Sequence, residues 1–216
     1  VVFDFRAADL ALGGQGAPLV PATDAALLPA IGGWRAVLNL GGIANLTLLP
    51  PASGPDRGSP VLGWDCGPAN TLLDLAVQRF SGGEQSFDAD GAWARQGRID
   101  GERIETWLKE PYFQLAPPKS TGRELFGQAD LARRLGELGP DPADALATLT
   151  PFTAAVVAGE REWQRVFARV AGMREVGTVQ PAVQTKFFSP GRVVCETQCG
   201  PAFFRDPIQV REIEMP

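Results

Sequence analysis

Histidine is absent from the 216 residues, tyrosine occurs once, as Tyr112, and cysteine three times, as Cys66, Cys195 and Cys199. Without imidazole there is no histidine general base and no ordinary zinc site, so proton transfer falls to Asp or Glu, with Lys, Cys or Tyr as outsiders. Three cysteines make no disulfide framework and fit a reducing compartment. No apolar run approaches about 18 residues, which excludes a membrane-spanning helix. Positive charge is not in excess either. The net charge of −5 offers no electrostatic reason to bind nucleic acid or an anionic membrane.

What is there looks like an ordinary globular chain: 44% hydrophobic and 21% charged residues, with 25 Gly and 19 Pro as punctuation. Val1 to Phe5 reads as a strand already under way, so the expectation is a piece cut from something longer. A short helix is predicted over 23–31 with Thr23 as N-cap. Strands are predicted over 36–40 and 43–49, joined by a Gly41-Gly42 hairpin turn, and a third over 61–65 that ends on Asp65. Apolar residues at 72, 73, 76, 77 and 80 predict a helix from Asn70 to Phe80. Further helices are expected near 101–109, capped by Asp100 and ended by Pro111, near 123–137, and from Pro142, interrupted or restarted at Pro151. Strands followed by helices with Gly-rich turns argue for an α/β class. From about Glu160 the apolar residues lose any consistent period, the acidic bias disappears, and poor order is expected.

Four motifs carry chemistry. The first, residues 4–21, sets Arg6, Asp9 and Gln15 beside three glycines within four positions, 13–16. Glycine lets backbone approach a ligand closely, and the Arg6 fork suits carboxylate or phosphate; the plain alternative is a tight connection with an Arg6–Asp9 ion pair. The second, Asn39 to Thr47, holds the Gly41-Gly42 turn, whose N–H groups suit phosphate oxygens, with Asn45 as a further donor; the plain alternative is an ordinary hairpin. The third, Gly63 to Asn70, presents Asp65 and Gly67 at a strand end before a helix, where α/β folds place ligands. With no histidine, Asp65 is the best general-base candidate; alternatively it caps the helix. Cys66 is expected to pack as a small apolar residue, and Asp74 to lie on the helix surface. The fourth, Pro117 to Glu124, gathers Lys119 and Arg123 around Ser120, Thr121 and Gly122, which suits an anionic sugar or a phosphate. No Walker frame precedes it, and Ser120 or Thr121 with Glu124 would also make a capping box.

Taken in order, DFRAADLALGGQGAPLVP, LNLGGIANLTLLP, GWDCGPANTLLD, FDADGAWARQG and PPKSTGRELF resemble the successive signatures of the anhydro-N-acetylmuramic acid kinase family over about residues 1–158. The resemblance implies an α/β actin-like ATPase (ribonuclease H-like) fold, incomplete at both ends. Residues 1–159 would form a central part spanning portions of both lobes, and 160–216 a divergent tail. It implies ATP-dependent phosphorylation, with hydrolytic ring opening, of 1,6-anhydro-N-acetylmuramic acid to N-acetylmuramic acid 6-phosphate, in cytoplasmic cell-wall sugar recycling. ATP and its Mg2+ would be the nucleotide partners, no metal site of the chain's own is expected, and a homodimer stays open.

Carried over by resemblance, Asp65 is the catalytic base. Arg6, Gln15, Gly67, Asn70, Lys119 and Arg123 border the sugar, and Gly41, Gly42 and Asn45 the nucleotide phosphates. Cys66 and Ala69 stand where the family often has Thr and Gly. The family's Ser-Gly-Thr-Ser-x-Asp-Gly phosphate loop and its Gly-Gly-Gly-x-x-Asn adenosine-side motif find no counterpart in these 216 residues. A shifted reading frame or a joined segment would account for the tail. The expectation is therefore impaired activity for this chain alone, with ATP affinity weaker than about 1 mM. A non-catalytic remnant keeping part of the sugar site is the alternative. A glycosidase pairing Asp65 with Asp88 or Asp90 is a third reading.

Overall fold

The computed structural model describes residues 4–28 and 33–159, together with the short strand at 192–194. Three antiparallel strands form the frame: β1 (Arg35–Leu40), β2 (Ile43–Leu49) and β3 (Leu62–Pro68). The order is β3-β2-β1, and β4 (Arg192–Val194) pairs antiparallel on the outer edge of β1. Seven α-helices accompany them among the described residues: α1 (Phe5–Ala11), α2 (Val20–Leu27), α3 (Asn70–Phe80), α4 (Gly101–Trp107), α5 (Pro111–Gln114), α6 (Gln128–Leu138) and α7 (Pro142–Ala158). The class is mixed α/β, as expected.

Register decides the two faces of this sheet. Leu40 pairs with Ala44, Leu38 with Leu46 and Ala36 with Leu48, so Gly41, Gly42 and Ile43 together make the turn. A two-residue Gly-Gly turn would pair Leu40 with Ile43 and set Leu38 against Asn45. One residue of slip exchanges the faces, and the alternating apolar residues exclude it. On the inner face Ala36, Ala44, Leu46, Leu48, Trp64 and Cys66 join Leu72, Leu73, Ala76 and Val77 of α3 and Leu146, Leu149 and Phe152 of α7 in one buried core. Each large side chain there contributes about 1.5–3 kcal/mol. The other face is covered at one end by α2, where Val37 and Leu49 meet Ala25 and Leu28. Pro21 of α2 lies so close to β3 that a Cβ at Gly63 would stand 2.2 Å from its Cγ. The buried Asp24 carboxylate accepts a 2.9 Å hydrogen bond from Thr47.

Several elements differ from expectation. Phe5 opens a helix instead of ending a strand, with Asp4 as N-cap at φ 57° and accepting from the Ala7 amide; Val1 to Phe3 lie outside the described residues. Helix α2 starts at Val20, not 23, because Pro21 is well suited to a first turn, and Thr23 sits inside it. Strand β3 runs past Asp65 to Pro68, because β2 continues to pair with it across a bulge at Ala44/Asn45. Asp65 is thus mid-strand. Helix α6 starts only at Gln128, with Gly127 as N-cap, so neither Ser120 nor Thr121 caps it. Asp100 does cap α4, bonding the Arg103 amide, but Pro111 opens α5 instead of simply ending α4. Pro151 lies within the unbroken α7, whose inner turns are held by a mostly buried surface and by the Thr150 hydroxyl donating to Leu146 O at 2.8 Å. The expectation of poor order beyond residue 160 falls outside the described residues, apart from the pairing of 192–194.

Gly67 sits at φ 149°, and a Cβ there would stand 2.8 Å from Phe113 and 2.9 Å from Val156. Both the backbone and the packing resist a side chain. Gly67→Ala is expected to cost about 1–3 kcal/mol, read as a lower denaturation midpoint at unchanged slope.

Candidate functional site

Asp65 is 5% exposed and anchored from two sides. Its backbone N–H donates to Lys119 O at 3.0 Å, and its carbonyl accepts from the Tyr112 hydroxyl at 2.8 Å. Its carboxylate Oδ2 accepts from the Ser120 hydroxyl at 2.9 Å and from the Thr121 amide at 3.0 Å. Oδ1 takes no hydrogen bond from another described residue. One oxygen is fixed and the other is left to act, which is the geometry a base needs. Burial pushes the carboxyl above its ordinary value of 3.8, while the Thr121 amide, the Ser120 hydroxyl and the Arg6 charge pull the other way. A raised acid costs stability once ionised. The cost is absent below pH 3.8 and complete once the pH has risen through the raised value.

The loop that carries Ser120 and Thr121 is itself held from below and from the side. Lys119 is buried, with Nζ 5.0 Å from the Tyr112 ring centroid. Gln15 Nε2 donates to Pro118 O at 3.2 Å, which ties the first motif to the fourth. Arg6 and Asp9 both hold Gly16: Arg6 donates to its carbonyl at 2.6 Å, and Asp9 accepts from its amide at 2.7 Å. The exposed Arg123 acts on Asp74 of α3, whose carboxyl burial raises and Arg123 lowers. Asp74 is therefore half-buried instead of lying on the open helix surface.

The Gly41-Gly42 turn sits on the N-terminus of α3. Its carbonyls accept from the amides of Ala69, Asn70 and Thr71, and the Asn70 side chain donates to Leu40 O at 3.3 Å. Asp65 therefore does not cap α3. Across the sheet, Asn39 pairs with Asn45 and Asn45 with Asp65. Directly paired residues share a face. The three side chains form one polar row, between the part of the face that α2 covers and the Gly41-Gly42 turn.

The sequence profile of the anhydro-N-acetylmuramic acid kinase family matches residues 1–170. The chain belongs to that family. It is 67% identical over 172 residues to an anhydro-N-acetylmuramic acid kinase of Synechococcus sp. strain CC9605, covering 79% of this chain and 45% of that protein. It is 68% identical over 159 residues to one of Synechococcus sp. strain WH7803, covering 73% and 41%. Against one of Prochlorococcus marinus strain MIT 9211 the identity is 62% over 159 residues, covering 73% and 42%. The chain thus spans less than half the length of these relatives.

In this anhydro-N-acetylmuramic acid kinase family chain, most of the residues singled out from sequence fall into two adjoining groups, while the exposed Arg123 acts on Asp74 and Gly67 packs against Phe113 and Val156. Arg6, Gln15, Asp65 and Lys119 are linked through Gly16, Pro118 and the Asp65 backbone. Gly41, Gly42 and Asn70 meet at the start of α3, and Asn45 joins the two groups beside Asp65. Sequence reasoning missed Tyr112 and the part that Ser120 and Thr121 play on the carboxylate, contacts that span 47 to 56 residues of chain. It also passed over Asn39, which only the register pairs with Asn45. Asp88, the suggested second carboxylate of a glycosidase, accepts from the Trp93 and Ala94 amides. Among the described residues no helix is long and apolar enough to cross a membrane, and no group of three or more His, Cys, Asp or Glu is placed to hold a metal ion.

Proposed function

We propose that these residues belong to an actin-like ATPase (ribonuclease H-like) kinase that phosphorylates 1,6-anhydro-N-acetylmuramic acid with ATP while water opens its ring. The carrying observation is Asp65: buried, raised by burial, fixed through Oδ2 and open at Oδ1. Oδ1 takes a proton from water as that water bonds to C1. The C1–O6 bond breaks, O6 takes the γ-phosphoryl group, and ADP and N-acetylmuramic acid 6-phosphate leave with one proton released. Arg6, Gln15, Gly67, Asn70, Lys119 and Arg123 border the sugar, and Gly41, Gly42 and Asn45 the phosphates. Mg2+ would enter with the nucleotide, mainly on its phosphate oxygens, and supply charge neutralisation there. The reaction belongs to cytoplasmic peptidoglycan recycling. Residues 1–159 are read as the kinase portion and 160–216 as a divergent tail.

An isotope experiment on the complete gene product tests this. With ATP, the anhydro sugar and 18O-water, the label is expected at C1 of the 6-phosphate product and absent from its phosphate. Label in the phosphate, or no phosphorylated sugar, would refute the reading.

A further inference from the structure

At Asp65 the outer edge of β3 is held by a single stretch of chain, residues 112–121. The Asp65 N–H donates to Lys119 O at 3.0 Å, and the Tyr112 hydroxyl donates to the Asp65 carbonyl at 2.8 Å. Both grips fall where the β2–β3 ladder changes register. Asn45 pairs with Asp65, but the next residue of β2, Ala44, pairs with Gly67, so the bulge comes directly after Asp65. A bulge lets the backbone twist, and that twist re-aims the side chain beside it. Tyr112 serves the loop as well as the strand. Its ring centroid lies 5.0 Å from the ammonium of Lys119, the residue before Ser120, and the ring is set edge-on against Phe126 at 5.5 Å and Phe113 at 5.8 Å. The chain uses phenylalanine 12 times and tyrosine once, so what this position has that its aromatic neighbours lack is the hydroxyl.

We infer that Tyr112 is a positioning residue for the general base: its hydroxyl fixes the Asp65 backbone at the bulge, and its ring supports the loop whose Ser120 hydroxyl and Thr121 amide hold Oδ2. The inference rests on the reading of Asp65 as the base and adds a residue that reading does not use. Oδ1 faces its water reproducibly only while Oδ2 stays bonded, and those bonds last only while strand and loop keep their spacing. One side chain sets that spacing from both ends. Tyr112 is 9% exposed and acts through Asp65, not on the substrate. The charges that act on the carboxylate are Arg6, which favours the ionised form, and Glu124, which opposes it. Neither depends on the tyrosine hydroxyl. A change in Asp65 acidity on deleting that hydroxyl therefore reports the two bonds to Oδ2.

The test uses the complete gene product. Tyr112→Phe keeps a ring beside the Lys119 ammonium and deletes only the hydroxyl. Turnover is expected to fall about tenfold or more, within the roughly hundredfold that a displacement of about 1 Å costs. The KM values for Mg-ATP and for the sugar should stay within about twofold. The Asp65 carboxyl, followed by 13C-NMR titration of the ligand-free protein and assigned with Asp65→Asn, should titrate at higher pH than in the wild type. Weakened bonds from Ser120 and Thr121 then favour the ionised form less. The acid limb of kcat/KM should move up with it. Ile104→Ala is the control for lost stability alone, because it opens a cavity in the buried packing of α4. It should lower the melting temperature at least as much, yet leave the carboxyl titration unmoved and turnover within about twofold. An unmoved carboxyl in Tyr112→Phe, or the same shift in both variants, overturns the inference. Near wild-type turnover in Asp65→Asn sinks instead the reading on which it rests.

Discussion

Asp65→Asn is expected to lower turnover of the complete gene product by about 10²–10⁴-fold, the range for removing a positioned general base. Asparagine keeps the shape and keeps an oxygen for the Ser120 hydroxyl and the Thr121 amide, so the loop is retained. It cannot take a proton from water. The same substitution should leave the fold unharmed or slightly more stable at neutral pH. The reason is the sign of the linkage: burial raises the folded carboxyl above 3.8, so its ionised form at pH 7 is a cost that asparagine does not carry. In the wild type, turnover should fall as the pH drops through that raised value, because the protonated carboxyl is no base. Turnover near wild type in the variant, measured beside a thermal melt, would remove Asp65 from the mechanism.

Arg134→Ala is expected to destabilise the fold by about 3 kcal/mol, the lower end for breaking a buried ion pair. Arg134 is fully buried, donates to Asp130 Oδ2 at 2.8 Å and to Glu110 Oε2 at 2.7 Å, and lies 4.7 Å from the ring centroids of both Trp107 and Phe152. Truncation empties the space between the rings and leaves two carboxylates with less compensation. The cost stays near the lower end because Arg133 also bonds both, Asp130 at 2.6 Å and Glu110 at 2.8 Å. Arg133 itself is 45% exposed, and Arg133→Ala should cost less than about 1 kcal/mol. Thermal melts of the two variants separate these cases. The Arg134 variant should melt roughly 6–12 °C lower, at 2–4 °C per kcal/mol for a chain of this size. Equal shifts for both arginines would mean that burial does not set the difference.

The sequence by itself determined the family, the α/β class, the β1–β2 pair, α3 from Asn70 to Phe80 and the Asp100 cap. Each rests on local information: a run of signatures, an apolar period, or a side chain bonding an amide three residues on. The absence of histidine also points to a carboxylate, and the proposal of Asp65 as the base starts from the sequence. Tertiary structure decided what surrounds that carboxylate. Tyr112, Ser120 and Thr121 reach it from distant chain, and no local pattern separates a hydroxyl that holds an acid from one that caps a helix, so the sequence leaves Ser120 or Thr121 open as a cap beside the binding motif. It also decided where elements begin and end. Residues 61–65 look finished at Asp65, but pairing with β2 carries β3 to Pro68. Pro151 looks like a break, but a helix buried on most sides stays whole. Finally, register set Asn39 and Asn45 in line with Asp65. A strand alternates its side chains, so one residue in the turn chooses the face, and only burial of the leucines against α3 and α7 fixes that choice.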